Sequence, residues 1–473
     1  MTQQPGRGLP PGARPSPQAG ARPGGRARAT VYVVIGAGLV VVVSFIVFLF
    51  VHGISHVPRP QRESLDQKRG EMARAFRGQG STQVGAADLA AVRQLLQDWR
   101  RALRRKDESS MHACWDADRL FREVKRAAGT RFVVRPGAEA GHADAMVRGF
   151  CGGFADTTGH LSLQRLEICS ARWLTPGREA VFYVREWYAE GHGGRFRYWA
   201  ARRNGTWRLY DMEALEGGYR ISIGAAAGMT GTPAQCRKRT ADTQRLTEAA
   251  RMALGGDARQ AEPILKALAS ADLHPSLHAL RLLALGQCKL SRGLADEALK
   301  IYDEAEAVHQ DTPFLTKVRA AAYLQLEDWQ KAAEHAAAFQ KLLGNDAEAR
   351  SIAGAAYARL GQTQRAQQEH LAGLTDDPHS QDNLIGLAQA LSVNRKEPLR
   401  TRLQRATDPK AILPAVAEAL IADGDAAGLG IVIDVFRSAL PDYPQLPALQ
   451  GTLRQLEQLA TTQRAAATQT RPS

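Results

Sequence analysis

A period of 34 residues in the C-terminal half constrains the fold more than any other feature of this sequence. Two sets of three small residues recur at this spacing: Gly286, Ala320 and Gly354, and Ala298, Ala332 and Ala366. Small residues at a fixed spacing are typical of stacked helices that approach closely in repeat proteins. The period predicts three successive helix pairs, A and B, at 279–292 and 294–309, 313–326 and 328–343, and 347–360 and 362–375.

The arrangement of large and small residues within these units resembles the tetratricopeptide repeat (TPR) family, through residues 285–302, 323–332 and 357–366. The resemblance implies an all-α TPR-type helical solenoid over residues 240–460 that binds a partner protein or peptide in its groove. In phase with the family, the partner-binding positions are Leu283, Gln287, Lys317, Gln325, Ser351 and Arg359. Lys317 has no Asn four residues later, so the pattern that grips a C-terminal carboxylate in some members is absent.

An apolar run near the N-terminus, residues 31–51, contains 21 residues and no charge. At about 1.5 Å per residue it would reach roughly 30 Å as a helix, the thickness of a bilayer core. It is longer than the apolar core of a cleaved signal peptide, about 7–15 residues, and no clear Ala-x-Ala site follows it. We therefore predict a single transmembrane helix over 31–53, in contact with the lipid bilayer through residues 31–51.

The flanking charges indicate an orientation for this helix. Residues 1–30 are rich in Pro and Gly and carry five arginines and no acid, which predicts a disordered basic tail. Three of these arginines, Arg22, Arg26 and Arg28, come just before the apolar run. Excess Arg favours the cytoplasmic side. The prediction is a single-pass membrane protein with a cytoplasmic N-terminus, a polar linker at 54–85 and an extracytoplasmic body.

Charge and cysteine content exclude several classes of protein. Residues 1–85 carry 11 basic and three acidic side chains, whereas residues 215–473 carry 29 of each. The excess of basic residues therefore belongs to the N-terminal half, and no nucleic-acid partner is expected. Five cysteines in 473 residues are too few for a disulfide scaffold, and the absence of a CxxC pair argues against a structural zinc site. We expect no metal and no cofactor.

The middle region, residues 86–215, predicts an α+β unit. Helical periodicity comes first, and four runs rich in aromatic and β-branched residues follow. Asn204-Gly205 between the last two runs predicts a two-residue hairpin. In the run 179–190, apolar residues occupy both alternating faces, so the sheet should be covered on both sides or curved around a pocket.

This region resembles the NTF2-like (SnoaL-like) family through "LLQDWRRALRRKDESSMHACW" and "RFRYWAARRNGTWRLYDME". The resemblance implies a cone-shaped fold, which in that family includes isomerases, dehydratases and many non-catalytic members. A catalytic member would need an inward carboxylate or His, and the candidates are His112, His142, Asp144 and Glu186. We interpret Glu186 as the cross-strand partner of Arg185 or Arg197. We interpret five basic residues of the first helix as its solvent face: Arg100, Arg101, Arg104, Arg105 and Lys106.

Together these features predict a multidomain chain with a transmembrane helix, an NTF2-like α+β cone and a TPR-type solenoid. Residues 216–239 are predicted as a linker and residues 461–473 as a disordered tail. No nucleophile, metal set or phosphate loop indicates catalysis, so the first hypothesis is a membrane-anchored scaffold for protein–protein interaction. The alternative is a middle domain that binds or converts a small molecule, with the repeat region recruiting partners.

Overall fold

The structure, a computed structural model, describes residues 84–129, 139–158, 161–188, 193–378, 380–391, 397–404, 409–422 and 424–469. No helix within these residues is both long and apolar enough to cross a bilayer. The predicted transmembrane helix and the tail at 1–30 lie outside the described residues, as does the linker up to residue 83. Their assignments therefore stay predictions.

Four helices open the described part of the chain: α1 (Ala86–Arg105), α2 (Glu108–Ala113), α3 (Ala117–Ala128) and α4 (Glu139–Thr158). Helix α1 buries one stripe, which includes Leu96 and Trp99, as its three- and four-residue spacing predicts. Helices α2 and α3 are separated by a short break at residues 114–116. Asp116 lies at the break, where its carboxylate accepts a hydrogen bond from the Arg119 backbone N–H and caps α3.

A four-stranded antiparallel sheet follows, with its strands in chain order: β1 (Leu163–Thr175), β2 (Glu179–Tyr188), β3 (Gly193–Arg203) and β4 (Thr206–Ala214). Asn204 and Gly205 both have positive φ, 51° and 80°, at the two-residue turn between β3 and β4. The predicted hairpin is therefore confirmed. Trp207 at the start of β4 is buried and packs against Trp173 and Phe182.

Both faces of the sheet are covered, which is the first of the two arrangements that the sequence of β2 left open. Phe182 and Tyr198 lie on the face that packs against α1 and α4. Tyr183 and Trp199 lie on the opposite face and share an apolar core with Phe314 and other residues of the C-terminal helices. The sheet is thus a middle layer between the first four helices and the repeat region.

Residues 216–239, predicted as a linker, contain helix α5 (Ile221–Ala227) and the start of α6 (Pro233–Leu254). Most of α5 is buried, and the Ser222 hydroxyl donates to the buried carboxylate of Asp211 on β4, with Oγ and Oδ2 2.5 Å apart. This segment ties the sheet to the first helix of the repeat region.

The C-terminal part is a helical solenoid, as predicted. Its helices are α6, α7 (Ala258–Ala267), α8 (Pro275–Leu290), α9 (Ala295–Val308), α10 (Phe314–Gln325), α11 (Trp329–Leu343), α12 (Ala347–Arg359), α13 (Thr363–Asp376), α14 (Gln381–Ala390), α15 (Glu397–Gln404), α16 (Pro409–Ala422), α17 (Ala426–Ala439) and α18 (Leu446–Gln469). The pairs α8/α9, α10/α11 and α12/α13, here called repeats 1, 2 and 3, follow the 34-residue period. Helix α18 continues beyond residue 460 to Gln469.

The small residues of the period face large residues of the paired helix. A Cβ atom added to Gly286 would lie 2.3 Å from the ring of Tyr302, and one added to Gly354 would lie 2.5 Å from the ring of His370. In repeat 2 the residue at the place of Tyr302 is Ala336, and Ala320 stands where the other repeats have Gly. At this helix crossing, repeats 1 and 3 therefore combine Gly on helix A with a large ring on helix B, whereas repeat 2 combines Ala with Ala. The two residues are complementary in size within each repeat.

Candidate interaction surfaces

The structure places the six predicted partner-binding residues in three different environments. Leu283 and Lys317 are buried, and the Lys317 ammonium pairs with Glu348. Gln287 and Ser351 are half-buried, whereas Gln325 and Arg359 are exposed. Their role in binding a partner stays a prediction, and of these six side chains only those of Gln325 and Arg359 are exposed to solvent.

The sheet covers one edge of the solenoid, where helix B of one repeat leads into helix A of the next. The Ser170 hydroxyl on β1 donates to the backbone carbonyl of Leu342, with Oγ and O 2.6 Å apart. A Cβ atom on Gly344 would lie 3.5 Å from Sγ of Cys169. This edge, with its loops at 309–313 and 344–346 and residues 377–378 after α13, is called the sheet-side edge below.

Three arginines of β2 and β3 connect the sheet to this edge. Strand geometry places Arg185 beside Arg195, and Arg197 follows two residues later on the same face. Arg185 makes a bidentate ion pair with Asp376 at the end of α13, with N–O distances of 2.6 and 2.7 Å. Planar guanidinium groups suit this geometry better than Lys does.

Arg195 forms the second connection and bridges two carboxylates. Its Nε lies 2.5 Å from Oδ2 of Asp346, and its Nη1 lies 2.8 Å from Oε1 of Glu216. Asp346 also accepts the Ala349 backbone N–H, with O and N 3.0 Å apart, and so caps α12. Although burial alone would raise the pKa of Asp346, the nearby cations Arg195, Lys317 and Arg185 hold it below its usual value. The carboxylate is therefore charged at neutral pH.

Arg197 is the third connection. Its Nη1 lies 2.7 Å from Oδ1 of Asp311 in the loop before α10, and its Nε lies 3.0 Å from Oε2 of Glu213 on β4. The three ion pairs join residues 114 to 191 positions apart in the chain. The sheet-side edge is consequently occupied by the protein's own sheet, and the opposite edge, which carries the A-to-B turns, is where Gln325 and Arg359 lie.

Glu186, a candidate catalytic acid, is fully buried and forms an ion pair with Arg100 within the middle region. Its Oε1 accepts from Nε of Arg100 at 3.1 Å and from the Tyr198 hydroxyl at 2.9 Å. The predicted partners Arg185 and Arg197 lie on the opposite face of the sheet, so that assignment is wrong. Arg100 is also buried, 8% exposed, rather than on the solvent face of α1. Burial lowers its pKa, but Glu186 more than offsets this, and the pKa lies above its usual value.

Aromatic rings fill the space between α1, α4 and the sheet. The Trp99 ring has its centroid 5.4 Å from that of Phe154 and 5.8 Å from that of Tyr198. Trp115 and Phe150 pack beside them, with centroids 4.8 Å apart. An acid–base site of the kind implied by the NTF2-like resemblance needs an open interior with an unpaired inward acid. Glu186 lies in this interior, but it is paired with Arg100.

Two other candidate catalytic residues meet outside this interior. His112 Nε2 lies 3.0 Å from Asp144 Oδ1, and both side chains are partly exposed. They line a polar cleft of about 320 Å³ together with Arg203, Thr206 and Arg208. The fourth candidate, His142, is half-buried on α4. The sequence did not indicate that His112 and Asp144 would pair, because they belong to separate helices.

No cluster of three or more metal-binding side chains occurs among the described residues. All five cysteines lie in the described part of the chain and are free thiols: Cys114, Cys151, Cys169, Cys236 and Cys288. Burial raises the pKa of each, to about 11 for Cys114. Protonated, buried thiols are poor nucleophiles and poor metal ligands.

No protein-family model matches the chain, and no curated protein matches it. Among solved structures it is similar to one described as "MamA AMB-1 P212121", with 18% identity over 35% of this chain and 97% of that chain and a TM-score of 0.29. A second, described as "MamA RS-1 ArsTM double mutant", has 17% identity over 42% of this chain and 98% of that chain, with a TM-score of 0.28. Neither similarity is close enough to indicate a function for this chain.

Proposed function

We propose that this chain is a membrane-anchored scaffold whose TPR-type solenoid binds a partner protein. The observation that carries the proposal is the asymmetry of the solenoid. One edge is covered by the sheet, whereas the A-to-B turns of repeats 2 and 3 keep Gln325 and Arg359 exposed. The filled interior of the middle region, with its paired acid, favours a packing role for that region over chemistry.

The apolar run at 31–51 supports the anchor in this proposal. The arginines before it favour a cytoplasmic N-terminus, with the sheet and the solenoid outside the cytoplasm. Fusing a reporter after Ser473 tests the orientation, because a reporter that is active only outside the cytoplasm should be active in this position. Activity of a cytoplasmic reporter there would contradict the proposed orientation and leave the scaffold proposal standing.

Site-specific photo-crosslinking in the full-length membrane protein tests partner binding. A photoreactive residue at Gln325 should give a discrete cross-linked product, because this position lies on the edge opposite the sheet, here called the open edge, which carries the A-to-B turns. The matched control is Lys300, an exposed position on the B helix of repeat 1. Equal products from both positions, or none from Gln325 in native membranes, would contradict a binding surface at the A-to-B turns.

A further inference from the structure

The three A-to-B turns of the solenoid differ in how their cations are neutralised. In repeat 1, Arg292 pairs with Glu262 at 2.7 Å, and Lys289 pairs with Glu297 at 2.9 Å. In repeat 2, Lys331 pairs with Asp328, with Nζ and Oδ2 2.7 Å apart. The cations of these two turns are therefore compensated by acids of the chain itself.

The turn of repeat 3 has cations without acids. Residues 351–368 contain Arg359 and Arg365 and no Asp or Glu. Arg365 Nη1 donates to Oε1 of Gln362, a neutral group, at 2.9 Å. Within the part of the chain that the structure describes, neither arginine has an ion-pair partner, and both side chains are exposed. Two positive charges thus stand uncompensated on the open edge.

Each of these arginines lies over an aromatic ring of the neighbouring helix. The Arg359 Cζ is 5.8 Å from the Trp329 ring centroid, and the Arg365 Cζ is 5.4 Å from the Tyr357 ring centroid. Both rings are half-buried and pack on buried alanines of α11 and α12. Contact with a ring restrains a guanidinium group while leaving N–H donors at its edge free for bidentate pairing with a carboxylate.

We propose that Trp329, Tyr357, Arg359 and Arg365, the repeat-3 turn patch, bind an acidic segment of a partner protein. This inference rests on the proposed scaffold function and names the chemistry of its ligand. Two carboxylates of the segment pair with Arg359 and Arg365, and an apolar side chain between them covers the exposed part of the Trp329 ring. Glu327, exposed in the neighbouring turn, sets the limit of the patch, because it repels an acidic segment on that side.

Charge argues that the ligand comes from another protein. Residues 1–83, which lie outside the described part of the chain, carry 11 basic and three acidic side chains, and residues 470–473 contain an arginine and no acid. Neither segment complements two uncompensated arginines. An acidic segment of a different chain does so.

Fluorescence anisotropy with defined peptides on the full-length protein in zwitterionic lipid nanodiscs tests the patch. The probe is a labelled decapeptide of alternating Glu and Leu, and a Lys/Leu decapeptide serves as the reference. The double replacement Arg359→Gln, Arg365→Gln should weaken Glu/Leu binding roughly fivefold or more, since two charge-assisted pairs are lost. The matched control Arg292→Gln, an arginine in the equivalent turn of repeat 1, should change it less than about twofold.

The basic N-terminal residues also attract acidic peptides. The decisive quantity is therefore the difference in Glu/Leu peptide affinity between the variants and the parent protein. Glu/Leu binding that the double replacement leaves unchanged would overturn the patch, as would equal losses in the double variant and in Arg292→Gln. Exposed side chains contribute little to folding, so an unchanged melting temperature should accompany the loss of binding. A patch that fails this test while Gln325 still cross-links a partner would leave the scaffold function intact. If the photoreactive residue at Gln325 gives no cross-linked product, the scaffold proposal itself is contradicted.

Discussion

At the scale of single residues, the size match between Gly286 and Tyr302 gives a direct test of repeat packing. A methyl group added in Gly286→Ala would lie 2.3 Å from a ring carbon, so the ring or the helix must shift. The expected cost is about 1–3 kcal/mol in the free energy of unfolding, measured by chemical denaturation.

The control is the same substitution in a protein that lacks the Tyr302 ring. In a Tyr302→Ala protein the same Gly286→Ala change should be neutral or stabilising by up to about 1 kcal/mol, because Ala is the better helix former. An equal cost in both backgrounds would mean that the ring is not the cause, and that Gly286 does not pack against its own helix B.

The buried His274 at the N-terminus of α8 predicts that the free energy of unfolding depends on pH. Its Nδ1 accepts the Ser276 backbone N–H at 3.2 Å, and burial, with smaller contributions from His309 and Arg220, lowers its pKa from 6.5 to about 4. The unfolded chain therefore binds a proton at a higher pH than the folded chain. The stability contributed by neutral His274 is complete above about pH 6.5 and is lost as the pH falls to about 4, by at most about 3 kcal/mol.

Replacing His274→Asn keeps a hydrogen-bond acceptor at this cap and removes the titration. The variant should lose less free energy of unfolding between pH 7 and pH 4 than the parent protein, as measured by urea denaturation at each pH. Identical pH profiles would show that protonation of His274 does not contribute to the loss.

At the scale of secondary-structure elements, the ion pair between β2 and the end of α13 is the connection to test. Arg185→Ala leaves the buried carboxylate of Asp376 without its bidentate partner. Removing one member of a buried pair should cost about 3–5 kcal/mol in the free energy of unfolding. Arg165 on β1 is the matched control: it approaches Asp376 at 3.9 Å, but half of its side chain is exposed.

For Arg165→Ala the loss should stay below about 1 kcal/mol, as is usual for exposed pairs. Calorimetry or denaturation of both variants measures the contrast. Similar small losses in both proteins would mean that the sheet does not pack on the solenoid through Arg185.

The helix pairs of the repeats and strand β2 show which parts of the fold the sequence could predict. The 34-residue period predicted the three helix pairs because each small residue must recur where helices cross. The apolar residues on both faces of β2 left two arrangements open, a sheet covered on both sides or one curved around a pocket, and the structure has the first. Neither pattern predicted that the repeat region covers the second face of the sheet. The ion pairs that connect the two join residues more than a hundred positions apart and leave no local signal in the sequence.

The burial of Arg100 shows a different limit of prediction from the sequence. Its basic neighbours in the sequence favour the solvent face of α1, yet its position four residues after the buried Leu96 places it on the apolar stripe. That spacing was the available signal for the buried pair with Glu186. The pairing of Arg359 with Trp329 could not be predicted, because it depends on how one repeat stacks on the next.

At the scale of the whole molecule, the shared core between sheet and solenoid predicts a single cooperative unfolding transition. Tyr183 and Trp199 of the sheet belong to the same apolar cluster as Leu283 and Phe314 of the repeats. Scanning calorimetry of the full-length protein should show one heat-absorption peak for these regions, and Arg185→Ala should lower its temperature without dividing it. Two peaks, of which the variant shifts only one, would contradict a common core.

The long reach of the Arg185–Asp376 pair also has a consequence during synthesis. Its partners are 191 residues apart, and ribosomes add about 5–20 residues per second. Arg185 is therefore made roughly 10–40 s before the carboxylate of Asp376 with which it pairs. During that interval a newly made chain exposes Arg185 and the apolar residues of this sheet face, whereas Arg195 and Arg197 already have Glu216 and Glu213 as partners.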